Sequence, residues 1–577
     1  MPSRRALAAF RERLWGRVVL PGDPGYDRAR AVWNATADGH PALVARCAGV
    51  EDVVAAVRFA REQDLLVAVR GGGHSYPGFS TCDGGIVVDL SAMAEVRVDP
   101  GGRVATAAGG ALLGELDRRA QAFGLACPTG HVSHTGVGGL TLGGGVGRLT
   151  RRHGLTLDNL LGVELVTAEG GRERADVGTE PELFWGLRGA GPNFGIATSF
   201  ELALHPVGPE VLAGIAVYPI ERAREVAAAF TAAMAAAPDE VTAGMGWFVA
   251  PPGPPFPPAV AGRPVVVVNA THAGPPPGAD RDLAPLRALG PALDTFAPRR
   301  YLDLQAESDD HYRWGRRYYW KGLLLEALAA EAVDQIGALL AAAPGPDCGV
   351  GLLSLGGVFG RVPEDATAFS GRSAALWLIT EAVWEDPAED PARVAWGRDA
   401  MAALRPSPPR STTSTTWASS TRTPSAPPTA RPSTTAWSPS SAPGTRPTSS
   451  AATRTSARRR GQGVTTGSSR RQAAHARASG NPTRRCQVPR RGSVAHRMTG
   501  CAGRPHPGHP QPHPGLPATG RYGGSVAGRM AVPVAADCPV ARAVARLVQA
   551  SAGVTVGAVP VVMAARRSAR PARTLSR

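Results

Sequence analysis

An α+β fold in two successive lobes, followed by a region that does not read as folded, is what the 577-residue sequence predicts. Three observations carry this. Residues 40–70 pattern as strand, helix and strand, and run into three consecutive glycines. From about Pro209 strands alternate with helices again, which suggests a second α/β lobe built on a sheet. After Pro406 the hydrophobic periodicity stops, and Ser, Thr, Pro, Ala and Arg take over.

Ala8 to Trp15 reads as a short helix, and the turn-rich Leu20 to Tyr26 leads toward Trp33. Pro41 to Cys47 is a strand. Glu51 to Ala60 places Val53, Val54, Val57 and Ala60 on one helical face, with Glu51 and Asp52 in the first turn where acids suit the dipole. Leu65 to Val69 is the next strand, and Gly85 to Leu90, Glu95 to Val98 and Gly102 to Ala107 follow as strands. Leu112 to Phe123 reads as a helix capped by Gly124. Gly162 to Gly170 and Ile196 to Leu204 are strands. In the second lobe Val211 to Tyr218, Gly244 to Val249, Val265 to Val268 and Leu376 to Trp384 read as strands. Ala223 to Met234, Asp280 to Leu289 and Pro391 to Leu404 read as helices, and Trp320 to Leu340 is expected to carry one or two more.

Two glycine-rich stretches interrupt this order. The first is Arg70, Gly71, Gly72, Gly73, His74 and Ser75, directly after a strand. Consecutive glycines let the backbone approach a ligand closely and aim N–H groups at phosphates. A histidine at the tip of such a nest is either a catalytic group or an attachment point. The second stretch holds Gly130, Thr135, Gly136, Gly138, Gly139, Gly143, Gly144, Gly145 and Gly147. Its interleaved Val137, Leu140, Leu142 and Val146 are out of place in a free linker, so it reads as a folded loop around a phosphate or a flat ring.

Composition narrows the function classes. The net charge of +16 is misleading, because residues 406–577 hold 26 arginines and one acid, whereas residues 1–405 hold 37 basic and 46 acidic residues. The front part is mildly acidic, and nucleic-acid binding is not expected of it. The seven cysteines form no CxxC pair and no zinc spacing, so no metal is expected. No stretch offers the roughly 18 apolar residues of a membrane helix, and no signal peptide is indicated, so a cytoplasmic monomer or homodimer is expected. No GxGxxG in strand–helix context is present, which speaks against a separate nicotinamide site.

Arg70 to Ser75, the Gly136–Gly147 array, Asp158-Asn159 and Gly189 to Gly195 with Ile196, in this order, resemble the PCMH-type FAD-binding domain of berberine-bridge-enzyme-like flavoproteins. The likeness continues through Arg317 to Lys321 and Trp384 to Pro387. The resemblance implies an N-terminal segment over 1–37, a two-lobed FAD-binding domain over 38–207 and a substrate domain with an antiparallel sheet over 208–406. It implies FAD as cofactor, carried by His74 through an 8α bond. Bicovalent relatives have a second, cysteinyl link at a position that is Val132 here, and Cys127 lies five residues too early, so the attachment is expected to be monocovalent. It further implies a small-molecule substrate, a sugar or a secondary metabolite, oxidised at an alcohol or activated C–H bond with O2 as acceptor. Tyr318, Tyr319 and His311 are the candidate base within the given chain.

The chain departs from this family after Pro406. Arg410 to Trp417, back-translated and read from the third base, permits Val-Tyr-Asp-Val-Asn-Tyr-Leu. The same offset applied to Gly444 to Ser456 permits Asp-Pro-Thr-Asn-Phe-Phe-Arg-Arg-Asn-Gln-Asn-Ile. Both resemble the family's C-terminal segment, which supplies the usual candidate tyrosine. Residues 407–577 therefore read as a frameshifted, disordered tail, and the His506–His513 patch as devoid of a metal role.

Overall fold

The computed structural model describes residues 2–253 and 256–405. The expectations for 407–577, including the shifted frame and the histidine patch, lie outside the described residues.

The first sheet forms where the strand–helix–strand pattern was read. Its four strands run in the order Arg17–Val19, Leu43–Arg46, Ile86–Asp89, Val67–Arg70. The last three are parallel, as a helical crossover requires. The crossover helix Val50–Glu62 buries Val53, Val54, Val57 and Ala60 against Leu43, Ala45, Ile86 and Val88. Asp52 does more than favour the dipole. Its carboxylate accepts the N–H groups of Trp15 (2.8 Å), Gly16 (2.9 Å) and Ala48 (2.7 Å), tying the N-terminal segment to this helix.

A five-stranded antiparallel sheet follows, in the order Val96–Asp99, Val104–Ala108, Ile196–Ala203, Leu160–Val166, Arg172–Asp176. The helix Leu113–Gln121 packs on it through Leu113, Leu116 and Ala120. Gly124 ends that segment at φ +67°, as its expected capping role requires. The second glycine stretch is more ordered than a wrapped loop, since it contains the short helix Val137–Gly143.

The remaining residues build an eight-stranded sheet, antiparallel throughout, whose path ends Pro264–His272, Val241–Val249, Cys348–Ser354, Leu376–Trp384, Arg317–Leu325. Alternation along Leu376–Trp384 sorts its two faces. Leu376 and Leu378 join a core with the helices Ala223–Ala236, Ala330–Ala341 and Asp390–Leu404. Trp377 and Ile379 pack instead on Val146, Leu155 and Leu157 of the glycine-array region. This second face therefore looks toward the two glycine stretches.

Two expectations need correction. Trp320 to Leu340 carries one helix, Ala330–Ala341, as expected, but its first part, Trp320 to Leu325, is strand, because Tyr318, Trp320 and Leu323 answer to a sheet pairing with Leu376–Trp384 that the local sequence does not show. Cys348–Ser354, a central strand, was not anticipated, since its Gly349 and Gly351 mask the apolar alternation.

Asp158 and Arg372 join the glycine-array region to the eight-stranded sheet lobe. The guanidinium meets both carboxylate oxygens at 2.8 and 2.7 Å, with the Arg372 side chain 2% exposed. Arg372→Ala leaves a shielded carboxylate without its partner. The expected loss is about 3–5 kcal/mol, read as a lower midpoint in denaturant with an unchanged slope.

Candidate functional site

The strand Val67–Arg70 delivers the chain into Gly71-Gly72-Gly73, the last at φ +71°. A side chain at Gly72 would put its Cβ 2.2 Å from the backbone nitrogen of Gly136, and one at Gly136 would lie 2.5 Å from the nitrogen of Gly72. The two glycine stretches thus meet backbone to backbone. This contact explains why both must be glycine, although they lie some sixty residues apart.

Beside this contact runs a groove of about 660 Å³. Gly71, Gly72, Gly73, His74, Ser75, Thr135, Gly136, Gly138, Gly139, Gly195 and Ile196 line it, all of them expected from sequence. Leu90, Gly109, Leu142 and Phe200 also line it; they were not anticipated, because an apolar wall residue looks like any core residue. The groove fits FAD on two grounds. A Cβ at Gly139 would meet nothing within 4 Å, so the missing side chain leaves ligand space there. The N–H groups of Gly72 and Gly73 have no acceptor among the described residues, and such donors suit a diphosphate.

The other expected cofactor residues make protein contacts of their own. Arg70 pairs with Asp89 (2.6 Å) and donates to the Ala31 carbonyl (3.0 Å). Gly147 and Gly145 are glycines for close packing, their would-be Cβ atoms falling 1.8 Å from the Thr129 carbonyl and 2.1 Å from the Thr156 hydroxyl. Gly130 packs on Leu140, Gly143 and Gly144 end the helix, Asp158 is held by Arg372, and the Asn159 amide donates to the His153 and Leu155 carbonyls at 2.8 Å.

His74 lines the groove. Its Nε2 lies 2.6 Å from Nδ1 of His134, and its Nδ1 lies 3.4 Å from the Thr135 hydroxyl. Burial, reinforced by His134, holds its pKa well below the ordinary histidine value, so the ring is neutral. Trp33 stacks on His74 at 4.7 Å and on Tyr318 at 3.9 Å, and its indole N–H donates to the Tyr312 carbonyl at 2.6 Å. One tryptophan therefore links His74 to the eight-stranded sheet.

A second cavity, of about 710 Å³, is bordered by His311, Glu381, Gly349 and Phe248. Glu381 sits between Thr380 and Ala382, which face the helices, so alternation turns it to the opposite face, toward Trp33 and Tyr312. Glu381 is only 7% exposed; its carboxylate accepts the Tyr312 O–H at 3.0 Å and lies 3.4 Å from Nε2 of His311. Burial and the neighbouring Glu381 push the Tyr312 phenol well above its usual pKa, so it stays a donor. The Tyr76 hydroxyl and the Trp320 indole nitrogen are buried without a partner among the described residues.

The three candidate bases separate. His311 faces Glu381. Tyr318 is fully buried and donates its O–H to the Arg313 carbonyl at 2.7 Å, and burial raises its pKa, so it is poorly placed to accept a proton. Tyr319, one residue on, projects to the helix side, where Arg398 donates to its hydroxyl at 3.1 Å. Glu381 was missed because a lone acid inside an apolar strand gives no local signal of what it faces.

The FAD binding domain family matches residues 41–176. An FAD-linked oxidoreductase of Dictyostelium discoideum is 33% identical over 403 residues, covering 69% of this chain and 85% of that protein. The crystal structure of 6-hydroxy-D-nicotine oxidase from Arthrobacter nicotinovorans superposes with a TM-score of 0.59 at 31% identity, over 68% of this chain and 86% of that one. The berberine-bridge-enzyme-like 1 protein of Physcomitrella patens shares the fold, with a TM-score of 0.62 at 21% identity over 69% and 88% of the two chains.

Proposed function

The chain belongs to the FAD-linked oxidoreductases, and from that premise we propose that it oxidises an alcohol or activated C–H bond of a small molecule, a sugar or a secondary metabolite, with FAD carried covalently on His74 and dioxygen as the acceptor. The single observation that supports this reading best is the placement of His74 in the wall of the glycine-lined groove, linked through Trp33 and Tyr312 to the His311–Glu381 pair. Bound FAD supplies the two-electron acceptor. The protein does the rest. Gly72 and Gly73 offer N–H donors for the diphosphate, and the wall of Leu90, Leu142 and Phe200 keeps water away. Glu381, with His311 beside it, takes the proton that leaves the substrate, while Tyr312 holds the carboxylate in place. The name of the nicotine oxidase relative extends the substrate range worth assaying to amines.

His74→Ala is expected to abolish flavin that survives denaturation, while reversible FAD binding in the groove persists at reduced affinity. Acid precipitation followed by flavin absorbance of pellet and supernatant reads both; a wild-type level of covalent flavin in the variant would refute the attachment. Peroxide released in step with substrate turnover supports dioxygen as acceptor, and turnover that requires an added quinone or protein acceptor replaces it with a dehydrogenase.

One observation favours a second reading, a flavin-binding protein without turnover. A segment that resembles the family's C-terminal strand arises from residues 410–417 only when permitted codons for them are read in a shifted frame. Sequencing the DNA across codons 400–420 decides between them, since a single open frame encoding Val-Tyr-Asp-Val-Asn-Tyr restores the oxidase.

A further inference from the structure

Resting on the reading that Glu381 takes the substrate's proton, we propose that the sheet face beside it is the floor of the substrate site and selects a flat aromatic alcohol over a sugar. Gly349, Glu381 and Trp320 are cross-strand partners in one row. Gly246, Gly351, Ile379 and Gly322 form the next row along. Alternation turns both rows to the face that looks toward the glycine stretches, since Met245, Val350, Leu352 and Leu378 take the helix side. The strands Val241–Val249, Cys348–Ser354 and Arg317–Leu325 thus place four glycines on one face. Glycine inside a strand weakens it, and it often marks a place where a ligand or another backbone approaches closely.

Neighbouring protein atoms account for Gly322, where a Cβ would lie 2.6 Å from the Trp377 indole nitrogen. They do not account for Gly349. A Cβ there would meet only its own sheet neighbours, the Trp247 carbonyl at 3.2 Å and the Phe248 Cβ at 3.6 Å. Gly349 borders the cavity of about 710 Å³ together with Glu381. Trp320, in the same row, points to a ligand as well. It is 7% exposed, and its indole N–H is buried without a partner among the described residues. A buried donor is costly unless something accepts from it. The alcohol oxygen of the substrate is that acceptor, on the face that also carries the Glu381 carboxylate.

The cavity lining decides the class of substrate. Apart from the Cys348 thiol, which accepts from Arg393 at 3.2 Å, its polar side chains among the described residues are His311, Asp347 and Glu381. The Asp347 carboxylate is already paired with Arg316 at 2.7 Å. Phe248, Pro251 and Pro346 are part of an apolar wall. A pyranose carries a hydroxyl on nearly every ring carbon, and each one buried here without a partner loses the hydrogen bonds that water gave it. A fused aromatic ring system has no such need. Its face lies on a floor free of side chains, and a single hydroxyl meets Trp320 and Glu381.

The test uses the full chain with FAD. Naphthylmethanol is the flat probe, and glucose and cellobiose are the sugars. Wild type is expected to oxidise naphthylmethanol with a kcat/KM about 10²-fold above either sugar. Gly349→Val raises a branched side chain from the floor. It is expected to increase KM for naphthylmethanol about tenfold, with FAD content unchanged. Calorimetric titration reads binding without turnover. Trp320→Phe is expected to weaken naphthylmethanol about tenfold more than naphthalene, which has no oxygen to accept the N–H. A sugar kcat/KM at or above that of naphthylmethanol overturns the inference, and so does a wild-type KM and affinity for naphthylmethanol in Gly349→Val. Equal losses for both compounds in Trp320→Phe overturn the role of its N–H. Calorimetric binding of naphthylmethanol that Gly349→Val abolishes, without turnover of any probe, supports the floor and refutes the oxidation proposed above. Absence of both binding and turnover overturns the floor itself.

Discussion

Glutamine in place of Glu381 is expected to lower kcat by about 10²–10⁴-fold, the range set by losing a positioned proton acceptor. The substitution is nearly isosteric. The amide oxygen of Glu381→Gln still accepts the Tyr312 O–H that the carboxylate holds at 3.0 Å, and the His311 ring at 3.4 Å keeps a polar neighbour. What disappears is the negative charge and the capacity to take a proton. FAD content is expected to be unchanged, because Glu381 borders the second cavity and not the glycine-lined groove. Steady-state rates with any oxidised substrate check this, together with single-turnover bleaching of the flavin absorbance to isolate the reductive step. A kcat within about threefold of wild type assigns the proton to another group.

His311→Asn alongside it separates the pair. His311 lies in the turn before Arg317–Leu325 and reaches Glu381 from outside the sheet. If Glu381 is the acceptor and His311 its orienting neighbour, the histidine variant loses less in kcat than the glutamate variant. The reverse order exchanges the two roles.

The cofactor side of this molecule was legible in the sequence and the substrate side was not, for a physical reason. Gly72 and Gly136 are required by their mutual backbone contact, and such a requirement is written into residue type, since no other residue fits. His74 follows Gly73 directly, so its place in the groove wall could be inferred from the chain alone. Glu381 owes its role to tertiary pairing. It sits between Thr380 and Ala382, both turned to the helix layer, and meets His311 and Tyr312 only because Leu376–Trp384 lies beside Arg317–Leu325. Tyr318 and Tyr319 make the same point. They are adjacent, both aromatic and both plausible as a base until the strand that contains them is recognised, whereupon they fall on opposite faces. The family-like spacing of Asp158 and Asn159 says nothing of Arg372, which only the tertiary fold brings to the Asp158 carboxylate.

Gly72→Ala is expected to cost both FAD binding and stability, and Gly139→Ala only the first. At Gly72 the new methyl lies 2.2 Å from the Gly136 nitrogen and 2.5 Å from its Cα, and those atoms are backbone with no rotamer to yield. The two glycine stretches must move apart, which costs about 1–3 kcal/mol as overpacking and tilts the N–H donors of Gly72 and Gly73 away from their common target. At Gly139 the new methyl meets no protein atom within 4 Å, and alanine in the helix Val137–Gly143 is favoured over glycine by up to about 1 kcal/mol. The apoprotein should therefore melt at or above the wild-type temperature, while the methyl takes space that the cofactor needs. Calorimetry of the flavin-free chain and fluorescence titration with FAD give the two quantities separately. Wild-type FAD affinity in Gly139→Ala would place the cofactor elsewhere than in this groove, and wild-type stability in Gly72→Ala would deny that the two glycine stretches hold each other in place.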